Sequence, residues 1–145
     1  MKKNHWIAAS ALACMLALAP SSMEAENKVD NKRPPVAERN FTSKAVEKLI
    51  KEVSKVIQDP KLREMFQNCY PNTLDTTVKF KMDGKKPDTF VITGDIDAMW
   101  LRDSSAQLCP YLVLIAGDQE LQTLIAGLSN PQTACILLDR YANAF

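Results

Sequence analysis

The sequence predicts a mainly α-helical domain carrying one β-hairpin. Three observations predict it. Apolar residues recur at three- and four-residue steps on both sides of the chain's middle. One stretch between them switches to strict alternation. Proline pairs with a capping residue, Asp59-Pro60 and Asn130-Pro131, at the places where helices should restart.

The first helix should begin at Thr42 or Ser43, whose hydroxyls can accept orphan N–H groups. Ala45, Val46, Leu49, Ile50, Val53 and Ile57 then form an apolar stripe opposite a lysine- and glutamate-rich face. After Asp59-Pro60, a second, short helix carries Leu62, Met65, Phe66 and Cys69 and ends by Pro71. Val78, Phe80 and Met82 alternate with Lys79 and Lys81, a half-buried strand. Asp83-Gly84 makes a turn, and residues 89–93 make the returning strand.

Helical spacing resumes after Asp103, with Asp103 or Ser104 as cap and Leu108, Tyr111, Leu112 and Ile115 along one side. Pro110 inside this stretch demands a first-turn position or a kink. Gly117-Asp118 closes that helix and caps the next, which carries Leu121, Leu124, Ile125 and Leu128. Asn130-Pro131 opens a last helix with Ala134, Ile136 and Leu137. The chain stops at Phe145 without a C-terminal cap or polar tail, which predicts a truncated product.

A length of 145 residues suits one domain, and 46% hydrophobic with 24% charged residues is ordinary for a globular protein. Eighteen basic against 17 acidic residues leave no basic excess, so a nucleic-acid partner is not expected. Lys2 and Lys3, the apolar run from Trp6 to Pro20 and the small Ala25 predict a signal peptide over residues 1–25. The apolar run is shorter than the roughly 20 residues of a spanning helix, so no membrane span is expected once the signal is removed. The protein should be exported, to the periplasm or outside the cell. Lipidation at Cys14 is the weaker alternative, because apolar residues continue past it to Leu18. Residues 26–40, polar and containing Pro34-Pro35, read as a linker and lead-in. Pro35 equally suits a polyproline-like segment lying on the domain.

Without Cys14, three cysteines remain: Cys69, Cys109 and Cys135. Their apolar neighbours predict buried thiols rather than a disulfide framework. The only histidine is His5 and no CxxC spacing occurs, so no metal site and no cofactor are expected.

Chemistry concentrates in residues 94–107, GDIDAMWLRDSSAQ. Trp100 offers a flat apolar face; Arg102, Asp103 and Gln107 offer directional donors and acceptors. That mixture suits a sugar, which is part apolar disc and part hydroxyl ring. Trp100 also suits a core ring that keeps one polar partner. Arg102 and Asp103 suit either a grip on adjacent hydroxyls or an internal ion pair at a helix start. Asp95 and Asp97 fit turn residues or carboxylates facing a cleft. Asn143 can read a hydroxyl, although capping a helix end is the plainer role.

The segment DTFVITGDIDAMWLRDSSAQ with Pro110-Tyr111, the upstream Arg33-Pro34-Pro35 to Phe41 and the downstream CILLDRYANAF resemble glycoside hydrolase family 125, the metal-independent exo-α-mannosidases. The likeness runs from about Arg33 to Phe145. It implies that residues 41–145 are the N-terminal part of an (α/α)6 toroid of six helical hairpins, with one β-hairpin inserted. It implies hydrolysis of terminal α-1,6-linked mannose with inversion, by a carboxylic acid and a carboxylate base about 6.5–9.5 Å apart. The family's acid and base are expected beyond Phe145, so no catalytic residue is expected within this chain. The resemblance puts Asp95, Trp100, Arg102, Asp103, Gln107 and Asn143 at the terminal-sugar subsite, with a mannose-containing glycan as partner. A non-catalytic glycan-binding module, or a purely structural helical protein, is the alternative.

Overall fold

A computed structural model describes residues 32–145. The predicted signal peptide and residues 26–31 lie outside the described residues. Helix α1 spans Lys44–Val56 and α2 spans Pro60–Cys69. A π-helical turn, Thr73–Thr77, leads into strands β1 (Val78–Asp83) and β2 (Lys86–Val91). Helix α3 (Leu101–Leu108) runs into a 3-10 segment, Cys109–Gly117, followed by α4 (Gln119–Gly127) and α5 (Ser129–Leu138). The architecture is mainly helical with one two-stranded antiparallel hairpin.

Ser43 caps α1, accepting a hydrogen bond from Val46 N–H at 3.1 Å. The same hydroxyl donates to Asp118 Oδ2 at 2.6 Å, and Asp118 Oδ1 accepts from Leu121 N–H at 3.0 Å. One carboxylate thus ties the N-termini of α1 and α4 together, where both helix dipoles favour negative charge. Burial pushes the Asp118 carboxyl up, but the hydrogen bonds from Ser43 and from backbone N–H groups outweigh it and hold it below its ordinary range. Asp59 caps α2, accepting from Lys61 and Leu62 N–H, with Pro60 in the first turn.

Along the hairpin, Val78 faces Val91 and Phe80 faces Thr89. Gly84, at φ 59°, takes the first of two turn positions, where a type II′ turn needs a positive φ. The core gathers Val46 and Ile50 of α1, Leu74, Val78, Val91, Met99, Leu108, Tyr111, and Leu121, Leu124 and Leu128 from α4 and its end. Each such side chain contributes roughly 1.5–3 kcal/mol on full burial. Helix α4 lies on β2 so closely that a Cβ at Gly127 would fall 2.6 Å from Thr89 Oγ1.

Several sequence expectations shift. Helix α3 starts at Leu101, two residues before the expected cap, and Trp100 occupies the N-cap position without a side-chain hydrogen bond. The stretch through Ile115 is not one α-helix. Pro110 follows the end of α3 and the chain tightens there to 3-10 geometry. Asn130 does not cap α5; its amide donates to Pro87 O, anchoring the helix to β2 instead. Cys69 and Cys109 are exposed and Cys135 is half-buried, all three as free thiols. The apolar neighbours Phe66, Leu108 and Ile136 were a poor guide: Leu108 is buried, yet Cys109 beside it is exposed.

The lead-in before α1 is fastened to the domain. Arg33 Nε donates to Asp75 Oδ2 at 2.7 Å and Arg33 Nη2 to Glu47 Oε1 at 2.6 Å. Arg39 Nη1 adds a bond to Glu47 Oε1 at 3.1 Å. Asn40 and Phe41 N–H groups donate to the carbonyls of Asp75 and Leu74 in the π-helical turn. The hydrogen bond from Arg33 holds the Glu47 carboxyl below its ordinary range; burial lowers the Arg33 guanidinium, but the hydrogen bonds and charges of Asp75 and Glu47 outweigh it and raise it.

Candidate functional site

The residues singled out by chemistry sit on the loop between β2 and α3. Its entry is fixed by hydrogen bonds. Ile92 N–H donates to Thr77 O and Thr93 N–H to Ala98 O, each at 3.0 Å. The Thr93 hydroxyl, in a buried residue, accepts from Trp100 N–H at 2.8 Å. The bends at 94–97 therefore project from a closed base, and Gly94 adopts φ 138°, where a side chain would be strained.

Trp100 is half-buried, with its ring edge passing beside Gly94. This intermediate state leaves part of the indole open. Arg102 Nη2 donates to both Asp103 carboxylate oxygens at 3.2 Å, and the Arg102 side chain is 88% exposed. An ion pair so open contributes little to stability, between 0 and about 1 kcal/mol. Its donors and acceptors remain available to a ligand. Asp95 is exposed in the same loop. Asp97 accepts from Lys79 Nζ at 2.6 Å, which ties the loop to β1.

Gln107 stands one turn past Asp103 on α3 and is turned to the π-helical turn. Its Oε1 lies 3.5 Å from the hydroxyls of both Thr73 and Thr77. There it borders a groove with Tyr70, Pro110 and Tyr111. Burial pushes the Tyr111 hydroxyl up to about 12, so this phenol acts as a donor, to Tyr70 O at 2.5 Å. Asn143 is exposed in the C-terminal segment. That segment returns to the loop, where Met99 N–H donates to Phe145 O at 2.8 Å and Phe145 N–H to Met99 O at 3.2 Å. Asn143 therefore lies two residues before Phe145, whose backbone pairs with Met99, the residue preceding Trp100.

The structure thus gathers Asp95, Trp100, Arg102 and Asp103 on one loop and brings the segment of Asn143 back to it. Gln107 faces the threonine turn. Sequence reasoning missed Thr93, whose only signal is a polar residue closing an apolar strand, and Phe145, whose backbone role leaves no signal. Among the described residues no three His, Cys, Asp or Glu side chains converge as metal ligands. Among them, too, no helix is long and apolar enough to cross a membrane.

A family profile described as metal-independent alpha-mannosidase (GH125) matches residues 59–145. Over 114 residues the chain is 46% identical to the Meiotically up-regulated gene 157 protein of Schizosaccharomyces pombe, covering 78% of this chain and 22% of that protein. A solved structure from Streptococcus pneumoniae is 44% identical at a TM-score of 0.65, covering 73% of this chain and 24% of that one. It is described as a metal-independent alpha mannosidase in a non-productive substrate complex with alpha-1,6-mannobiose. The chain spans about a quarter of the length of the relatives it matches.

Proposed function

The chain belongs to the metal-independent alpha-mannosidase family GH125, and from that premise we propose that residues 94–107 form part of the subsite for a terminal mannose. The whole-protein reaction is then hydrolysis of terminal α-1,6-linked mannose from glycans. A carboxylic acid protonates the departing glycosidic oxygen while a carboxylate takes a proton from the water that attacks the anomeric carbon from the opposite face, inverting it. We assign neither role within this chain: Asp97 is engaged by Lys79, and Asp103 by Arg102. The part played here is recognition. Arg102 and Asp103 hold neighbouring hydroxyls, Trp100 walls the ring, and Asp95 and Asn143 contribute polar edges; Gln107, turned to Thr73 and Thr77, does not. An exported protein acting on mannose-rich glycans outside the cytoplasm completes the reading.

The observation that carries this reading is the accessible Arg102–Asp103 pair beside a half-open indole, on a loop closed at its base by Thr93. Support also comes from the alpha-1,6-mannobiose complex of the 44% identical relative. The test is titration of the chain with methyl α-mannoside, comparing Arg102→Ala with wild type. Loss of a charged hydrogen bond to a hydroxyl, worth about 1.5–3 kcal/mol, should weaken binding more than tenfold with little change in melting temperature. Unchanged affinity with a lowered melting temperature would assign Arg102 to packing and overturn the reading. Arg102 is exposed enough that stability should barely move.

A further inference from the structure

The π-helical turn Thr73–Thr77 ends in successive carbonyls whose partners lie outside it. Phe41 N–H donates to Leu74 O and Asn40 N–H to Asp75 O, each at 3.0 Å. The Asn40 side-chain amide donates to Thr76 O at 2.9 Å. The last of the row, Thr77 O, accepts at 3.0 Å from the N–H of Ile92, the residue that opens the recognition loop. We propose that the lead-in before α1 sets the posture of the recognition loop through this turn, with Asp75 as the positioning residue. This rests on the reading of residues 94–107 given above and adds what holds them in place.

The register of the turn depends on the lead-in. In an α-helix Val78 N–H would bond to Leu74 O, four residues back. Phe41 N–H holds that oxygen, and Val78 N–H reaches one residue further, to Thr73 O. The lead-in thus competes for the acceptor that α geometry needs. Turns of this kind are rare and concentrate at functional sites. A slip to α register would rotate the following residues by about 100°. Thr77 O would then leave Ile92 N–H, and the base of the loop would open.

Asp75 fixes the turn to the lead-in. Its side chain is 3% exposed, and Arg33 engages both carboxylate oxygens, Oδ2 from Nε at 2.7 Å and Oδ1 from Nη2 at 3.1 Å. Arg39 Nε stands 3.7 Å from Oδ1. A bidentate guanidinium–carboxylate pair fixes orientation as well as distance. Asp75 N–H donates to Pro71 O at 2.9 Å, so the residue is held at its side chain, its N–H and its carbonyl. Fastening the lead-in to the domain explains the pairing of Arg33 with Glu47 on α1. It does not explain why the bonds of Asn40 and Phe41 converge on the carbonyls beside the loop's own acceptor.

The turn meets the site on a second side. The Thr73 and Thr77 hydroxyls both lie 3.5 Å from Gln107 Oε1, on the helix that carries Arg102 and Asp103. Thr77 Oγ1 also donates to Thr73 O at 3.0 Å, the acceptor that Val78 N–H uses, so these hydroxyls move with the register. One turn therefore touches the first residue of the loop and the helix at its end. Displacing it shifts both supports of the segment that presents Trp100, Arg102 and Asp103.

The experiment combines amide hydrogen exchange with methyl α-mannoside titration of the full chain, for wild type, Asp75→Asn, Asn40→Ala and the control Asp59→Ala. Asp75→Asn keeps the side chain's shape but turns an amide toward a guanidinium donor. Asn40→Ala removes one bond to the turn from an exposed side chain and keeps the fold should Asp75→Asn lose it. Asp59→Ala strips the cap at the far end of α2. Asp75→Asn should speed exchange at Ile92 and Trp100 by about tenfold, the loss of roughly one hydrogen bond's worth of protection. Asn40→Ala should act in the same direction by less, and both should weaken sugar binding. Asp59→Ala should lower the melting temperature and leave exchange at these amides and sugar affinity at their wild-type values. Exchange unchanged in both turn variants, or accelerated equally by Asp59→Ala, overturns the positioning role. So does an unchanged affinity in both variants for the sugar that wild type binds. Failure of wild type to bind the sugar overturns the reading of residues 94–107 alone, because exchange at Ile92 and Trp100 then decides the coupling by itself.

Discussion

Gly127 sits where α4 and β2 touch. Helix propensity alone favours Gly127→Ala by about 1 kcal/mol. Sterics oppose it, because the new Cβ would stand 2.6 Å from Thr89 Oγ1, 3.0 Å from Pro87 Cβ and 3.1 Å from the Pro87 carbonyl carbon. Thr89 cannot turn away cheaply: it is fully buried and its hydroxyl donates to Leu124 O at 2.5 Å. Overpacking of this kind costs typically 1–3 kcal/mol. The expected outcome is a net loss of about 1–2 kcal/mol in urea unfolding, read as a lower midpoint at unchanged slope. A gain in stability would show that strand and helix are less tightly apposed than described.

At the scale of elements, the lead-in before α1 is the least expected feature. It looks like a linker because it is polar and rich in proline, yet Arg33 is almost fully buried between Glu47 and Asp75. Removing one partner from such a cluster leaves an uncompensated charge, so Arg33→Ala should cost about 3 kcal/mol. The pH dependence follows from Glu47, whose carboxyl is held below its ordinary value of 4.5. A depressed carboxylate contributes stability that is fully present above its unfolded value and is lost as pH falls through the folded one. Wild-type stability should therefore decline as pH drops below about 4.5. Arg33→Ala should lose part of that slope. An identical acid dependence in the two proteins, measured by denaturant midpoints from pH 6 to 3, would remove the arginine from the account.

Much of this layer is legible from residues alone. Ser43, Asp59 with Pro60, and Asp118 cap where their chemistry says they should, and the Lys79/Lys81 alternation marks β1. What fails depends on distant partners. Asn130 has the chemistry of a cap, but Pro87 O claims its amide across 43 residues. The break at Pro110 was visible as a conflict and not as a 3-10 segment. In the site, Trp100, Arg102 and Asp103 stand out by type, whereas the base made by Thr93 and the Met99–Phe145 pairing needs the fold. Gln107 was read as one of the sugar-facing group, and its threonine neighbours come from a π-helical turn with no period to read.

At the scale of the whole molecule, the described residues leave large apolar side chains in water. Val113, Leu137, Leu138 and Tyr141 are each more than 80% exposed, on a 3-10 segment and a helix end that are apolar on most sides. Helices apolar all round are normally buried. The relatives are more than three times as long as this chain. We assign this chain recognition of the terminal sugar. The central claim is the presentation of Trp100, Arg102 and Asp103 to one mannose. Tryptophan fluorescence tests it most directly in the full chain carrying Trp6→Phe, which leaves Trp100 as the only indole. Methyl α-mannoside should produce a saturable change that methyl α-galactoside does not, and Arg102→Ala should abolish it. A flat signal, or the same response to both sugars, would contradict the account.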